Sequence, residues 1–275
     1  SLIGVDQNST IIDANGLDYA INITTRSIIS NLTVRNASRA GIVIETPSNI
    51  IENISVTECF YGIFMSKYSS HRGFVFVGNN TLLNNKIWSC RSVGIYDYYA
   101  GGNNSLLDNS IAVDETGIFL TFSGGNVLRN NVLTNCGFGV SGGSLEDFIN
   151  DVDTSNTIDG NPIYYLINQR DLFINPSTFP NSGAIIIINS TKITIENMTS
   201  LNLRERLTLA FISDSIIRNN KLSEGIALFS GANVSVCNNE LVGYGIYPTS
   251  GSFLNISKNT IVAVSYTHLT LPTKA

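Results

Sequence analysis

One phrase recurs along this chain. A short β-branched or leucine run is followed by one or two polar residues, an asparagine, and another apolar residue, as in SIIRNNKL at 215–222. Aligning the counterparts of Asn220 gives Asn31, Asn53, Asn85, Asn109, Asn131, Asn156, Asn197, Asn220, Asn239 and Asn259, with successive gaps of 22, 32, 24, 22, 25, 41, 23, 19 and 20. The gap of 41 reads as two periods and the gap of 32 as one period with an insertion. A second column supports the first: Gly-Ile or Gly-Val follows at Gly41, Gly62, Gly94, Gly117, Gly139, Gly225 and Gly245.

Self-similarity with a period in the low twenties points to a solenoid, in which each repeat buries its apolar face only against its neighbours. Leucine-rich repeats share the period but need a leucine ladder and usually a helical return. Here the apolar runs are short, β-branched and bounded by Asn, Gly and Ser, and no window carries a helical 3.6 pattern. The spacing therefore predicts an all-β parallel β-helix of about ten coils of about 22 residues, stacked about 4.8 Å apart into a rod on the order of 50 Å long. Asparagine is unusually abundant, at 34 of 275 residues. Two physical roles account for it. Asn tolerates a left-handed turn, and inward amides at one register can hydrogen-bond from coil to coil. Glycine before Ile is expected to let the chain bend into the next strand.

The pattern resembles the NosD-like, periplasmic copper-binding family of right-handed β-helix proteins, within the wider group of carbohydrate-binding and sugar-hydrolase β-helices. LIGVDQNSTIIDANG (2–16) resembles that family's first coil. NTIDGNPIYYLIN (156–168) followed by NSGAIIIINSTKITIENMT (181–199) resembles its interruption and return to the ladder. The resemblance covers 1–263 and implies a single right-handed parallel β-helix with an irregular stretch at about 160–182. Residues 264–273, VSYTHLTLPT, break the repeat and resemble the translated end of a sequencing adapter. The segment 264–275 is therefore expected to be a non-native tail on a fragment.

Composition narrows the partners. A net charge of -5 argues against a phosphate-backbone partner, and no apolar run reaches membrane-span length. The copper role that the resemblance implies wants Cys, Met and His. Cys59, Cys90 and Cys136 occupy about the same corner of three coils, while Met65, Met198, His71 and His268 are scattered. Small buried side chains filling a corner account for the cysteines equally well, and a Cys59–Cys90 disulfide between adjacent coils stays open. No metal and no cofactor is expected. Polysaccharide cleavage needs a pair of carboxylates across a cleft. Asp97, Asp114, Glu115, Glu146, Asp147, Asp151 and Asp153 form none of the paired-acid motifs of β-helix hydrolases or epimerases. Strand alternation from an inward Ile95 turns Tyr96 out and Asp97 in.

Alternation also defines an outward column: Val43, Phe64, Tyr96, Phe119 and then Ser141, with Tyr98 on the same face. Stacked aromatics on a flat sheet suit sugar rings. The alternative is that the insertion 67–80 folds back over them. The candidate binding residues are Phe64, Tyr96, Tyr98, Phe119 and Asp97. Asn-x-Ser/Thr sequons at Asn22, Asn31, Asn36, Asn53, Asn79, Asn189, Asn197, Asn233 and Asn255 are expected from composition, and several fall at positions read as inward. The expectation is a secreted, cell-surface or periplasmic binding or scaffold domain for a polysaccharide or surface glycan, without catalysis. A carbohydrate-active lyase or hydrolase and a copper-delivery accessory protein are the competing readings.

Overall fold

The computed structural model describes residues 1–66, 68–69, 73–74, 77–199, 207–243 and 245–262. The tail at 264–275, with His268, and residues 67, 70–72 and 75–76 of the 67–80 insertion, with His71, lie outside the described residues. The chain forms an all-β parallel solenoid of about eleven turns, with a single short 3-10 helix, Leu145–Phe148, among the described residues. No helix of the described residues is long and apolar enough to cross a membrane.

Each early turn contributes one strand to each of three walls. The first wall runs from Leu2–Ile3 to Asp151–Val152, the second from Ile11–Asp13 to Thr157–Ile158, and the third from Tyr19–Ile23 to Gly137–Ser141. Pairing is parallel and in register, so Ile42, Ile63, Ile95 and Ile118 stack inside the third wall. All four are buried. Between neighbouring coils there is no room for a side chain at Gly62 or Gly94. A Cβ on Gly94 would lie 2.6 Å from the carbonyl oxygen of Gly117 and 2.5 Å from a methyl of Ile111. The column Gly41, Gly62, Gly94 and Gly117 is thus one of close approach, not of turning.

The asparagine ladder is present, shifted by one residue at three of its expected rungs. Asn85, Asn109, Asn131 and Asn156 are buried and linked. The backbone N–H of each of the first three donates to the Oδ1 of the next coil's asparagine, at 3.1 Å for Asn85 to Asn109, 3.1 Å for Asn109 to Asn131 and 3.2 Å for Asn131 to Asn156. Each Nδ2 reaches back to a carbonyl two coils away from that acceptor, as Asn131 does to Leu106 at 2.8 Å. Asn220, Asn239 and Asn259 repeat the arrangement. Asn31, Asn53 and Asn197 do not belong to it. They hold left-handed φ of 57°, 52° and 59°, the turn position just before the ladder that Asn84, Asn130, Asn219 and Asn238 also occupy. The inward residues at those coils are Leu32, Ile54 and Met198. Ile54 and Met198 donate their N–H groups to Asn85 and Asn220. The sequon asparagines at 31, 53 and 197 therefore sit on the outer turn, not inside.

A second ladder runs down another corner. Ser27, Asn49, Asn80, Asn104 and Asn126 donate backbone N–H groups to Asn49, Asn80, Asn104, Asn126 and Asn150 at 2.7–3.0 Å. Two amide columns thus satisfy the buried corner backbone of the first solenoid, where an orphaned group would cost about 1–3 kcal/mol.

At Asp159-Gly160 the winding changes direction. Both residues have positive φ, 49° and 79°, the geometry of a tight hairpin turn. Thr157–Ile158 pairs antiparallel with Asn161–Ile167, and every later strand of that wall is parallel to Asn161–Ile167. The later strands thus run opposite to the earlier ones. They also form a wall between two cores. In Ala184–Ile188, Ala184, Ile186 and Ile188 face the core of the first solenoid, while Ile185 and Ile187 face the core of the second. This explains an unbroken run of isoleucines where one-sided strands alternate. Phe148 at the end of the first stack packs on Phe211 and Phe229 of this wall, with ring centroids 6.0 and 5.1 Å away.

Candidate functional site

The third wall of the first solenoid carries the candidate site on its outer face. In-register pairing places Phe64 beside Val43, Tyr96 beside Phe64, and Phe119 beside Tyr96. The next position is Gly139, not Ser141. A register irregularity between Thr116 and Ile118 shifts the pairing, so Phe138 takes the inward place opposite Ile118 and Ser141 falls opposite Thr121. The ring of Phe119 lies over Gly139, where a Cβ would come within 2.9 Å of it.

The rings form a continuous strip. Phe64 and Tyr96 have centroids 5.4 Å apart, and Tyr96 and Phe119 stack at 5.4 Å with planes 11° apart. Tyr98 lies 5.4 Å from Tyr96 and 6.4 Å from Phe64. Parallel stacking fixes this spacing, because side chains at one register repeat at the inter-strand distance. Each such ring pair adds about 0.5–1.5 kcal/mol beyond its burial. Phe64 is only 8% exposed and serves as the floor, whereas Tyr96, Tyr98 and Phe119 are half-buried and keep accessible surface. Burial, partly offset by a hydrogen bond with Thr121, raises the Tyr96 phenol above its usual range, so it remains a neutral hydroxyl at physiological pH.

Three further rings extend the strip beyond the residues expected from alternation. Tyr61, at the start of its strand, lies 5.5 Å from Phe64 and 5.4 Å from Tyr96. Tyr99 and Phe122, at a strand end and both with left-handed φ, stack at 4.1 Å. The aromatic pairs Tyr98-Tyr99 and Phe60-Tyr61 signal two of them in the sequence, but strict alternation from the inward Ile63 and Ile95 turns Tyr61 and Tyr99 to the wrong face. Whether the insertion covers the strip concerns residues outside those described.

Asp97 stands apart from the other four candidates. It is 0% exposed, between Met65 and Leu120 inside the solenoid, and can touch nothing bound on the outer face. Its Oδ2 accepts from Ser123 Oγ at 2.6 Å and from Asn104 Nδ2 at 3.0 Å, and its Oδ1 has no hydrogen-bond partner. Burial pushes its pKa up to about 6, against the opposing hydrogen bonds of Ser123, Asn104 and Asn126. Four of the other acids hold local structure. Asp147 accepts from the N–H groups of Gly143 and Ser144. Asp151 and Asp153 flank Arg129 at 2.6 and 3.1 Å, and Glu115 accepts from Ser92 at 2.7 Å.

Cys59, Cys90 and Cys136 are buried, close to the glycine column. The thiols of Cys136 and Cys59 lie 2.9 and 3.3 Å from where Cβ atoms on Gly117 and Gly41 would stand. Cys59 and Cys90 share a hydrogen bond, which, with burial, drives the Cys90 thiol far up. Among the described residues no three His, Cys, Asp or Glu side chains gather into a metal-type cluster.

Comparison with known families finds one match. The family described as right-handed beta helix region matches residues 19–197, more than half of the chain. None of the curated proteins compared with the chain matches it.

Proposed function

Because the chain belongs to the right-handed β-helix family, we propose that it is a binding domain that holds a saccharide chain along the aromatic strip of its third wall without cleaving it. The observation that carries this reading is the in-register stack Phe64, Tyr96 and Phe119 with Tyr98 beside it. Sugar rings present C–H faces that pack on aromatic faces, and their hydroxyls need hydrogen-bonding groups at the rim. Tyr96, Tyr98 and Tyr61, all half-buried, bring hydroxyls to the strip. The strip climbs the solenoid axis, so a linear chain lies across successive coils. Cleavage would require carboxylates beside the strip, and Asp97 is turned into the core. A location where such chains occur, outside the cell or in the periplasm, follows from this reading.

The test is affinity electrophoresis through gels containing soluble polysaccharides, with calcium chelated. Wild-type protein is expected to be retarded by at least one of them, and Tyr96→Ala with Phe119→Ala to migrate freely while keeping its β-sheet spectrum. Equal retardation of the double variant would move the site to another face. Release of oligosaccharides by the wild type would replace binding with a lyase or hydrolase activity.

A further inference from the structure

Arg39 marks the N-terminal end of the strip, immediately before Ala40–Ile44. Its guanidinium carbon lies 5.8 Å from the ring centre of Tyr19 and 5.9 Å from that of Phe64, and Nη1 donates to the Tyr19 hydroxyl at 2.9 Å. The residue is nonetheless exposed. Arg35, Arg129, Arg170 and Arg218 each pair with a carboxylate at 3.3 Å or less; Arg26, which donates to the Ser48 carbonyl instead, has no such partner among the described residues, and what sets Arg39 apart is its place against two rings of the strip. Among the described residues no carboxylate lies within 4 Å of Arg39. In a chain of net charge -5, an unpaired cation fixed against the strip is an asymmetry of the face. Ala40 and Val43, in the coil next to Phe64, are too small to continue the aromatic surface. The guanidinium lies at that step. Two rings and a hydroxyl hold it in one orientation, so little further ordering is needed when it meets a ligand. Its remaining N–H groups form the planar fork that matches a carboxylate. Glu45 stands at the opposite edge of the same strand, six residues away or about 20 Å of extended chain, and it disfavours an anionic group on that side.

Resting on the binding reading above, we propose that Arg39 is a specificity-determining residue that makes the strip select saccharide chains bearing carboxylates over neutral ones. With sugar rings on Phe119 and Tyr96, the chain's continuation past Phe64 brings a carboxylate substituent to the guanidinium.

The experiment compares alginate with its methyl ester, which has the same backbone without the charge, in calcium-free affinity gels. Wild-type protein is expected to bind alginate about tenfold more tightly than the ester, as one charge-assisted fork contact implies, and to lose that margin as salt is raised. Arg39→Gln should lower alginate binding to the level of the ester and leave ester binding unchanged. Arg39→Lys should recover part of the margin. Equal binding of both polymers by the wild type, or undiminished alginate binding by Arg39→Gln, overturns the role of Arg39 and leaves the strip reading intact if the Tyr96→Ala, Phe119→Ala variant binds neither. Failure of the wild type to bind either polymer overturns the proposed selectivity itself; retention by a neutral glucan in the same gels would then keep the strip reading, and its absence would remove both.

Discussion

Replacing Asn131 by Leu isolates what one rung of the amide ladder contributes. Asn131 is fully buried. Its Oδ1 accepts from the Asn109 backbone N–H at 3.1 Å and from Asn109 Nδ2 at 2.9 Å, and its Nδ2 donates to the Leu106 carbonyl at 2.8 Å and to Asn156 Oδ1 at 2.8 Å. Leucine is close in size but offers none of these groups. Asn109 Nδ2 keeps the Leu82 carbonyl, and Asn156 Oδ1 keeps the Asn131 backbone N–H. One backbone group is therefore stranded away from water, the N–H of Asn109, while the C=O of Leu106 loses one donor but stays in the parallel ladder with the strand of Val127–Arg129. At about 1–3 kcal/mol for the stranded N–H and about 0.5–1.5 kcal/mol for the bond lost from Leu106, less about 1–2 kcal/mol for the apolar side chain gained, the expected loss is about 1–2 kcal/mol at mid-range. Urea unfolding followed by far-ultraviolet circular dichroism reads it as a lower midpoint with an unchanged slope. Amide exchange locates it, because the Asn109 N–H should lose protection before its neighbours. A variant with the wild-type midpoint and a protected Asn109 amide would refute the reasoning.

Other consequences are equally direct. Asp97 has a folded-state pKa near 6 because of burial, above the value near 4 of an unfolded aspartate. The native state thus holds the proton more tightly, and stability should rise by about 3 kcal/mol as pH falls from above 6 to below 4. Asp97→Asn should flatten this part of a pH–stability curve and raise stability at pH 7.5; a slope that survives the substitution would assign it to another group. Gly94→Ala places a Cβ against the Gly117 carbonyl and Ile111, and overpacking of that kind costs about 1–3 kcal/mol; a thermal melt at the wild-type temperature would show that the coils can spread at no cost.

The solenoid was legible because period and residue type agree. Asn and Gly-Ile recur at fixed offsets, and the structure stacks them. The ladder's register was less legible, for a physical reason. The outer turn and the inner rung are adjacent and both favour asparagine, so Asn53 and Asn85 look alike although one bears a left-handed backbone and the other an inward amide. The second ladder could have been read from Asn80, Asn104 and Asn126, each five residues before Asn85, Asn109 and Asn131. The reversal at 157–162 had a local signal in Asp159-Gly160, a hairpin dipeptide. Its consequence, a wall shared by two cores, depends on packing that only the isoleucine run 185–188 hints at. In the candidate site, alternation identified Phe64, Tyr96, Tyr98 and Phe119 as one face and Asp97 as inward. It misassigned Ser141, because a one-residue irregularity in pairing leaves no mark in composition. Tyr99 and Phe122 escaped it because they stand on left-handed corners, outside the alternating strand.

The central claim is that a saccharide lies on the aromatic strip, and ring-proton NMR during titration with oligosaccharide fragments of whichever polymer the wild-type protein retains tests it most directly. The rings of Tyr96, Tyr98 and Phe119 should shift progressively with ligand. Trp88, exposed on the second wall, should not move. Shifts confined to Trp88 or to the second solenoid, with the strip unmoved at saturating ligand, would contradict the account.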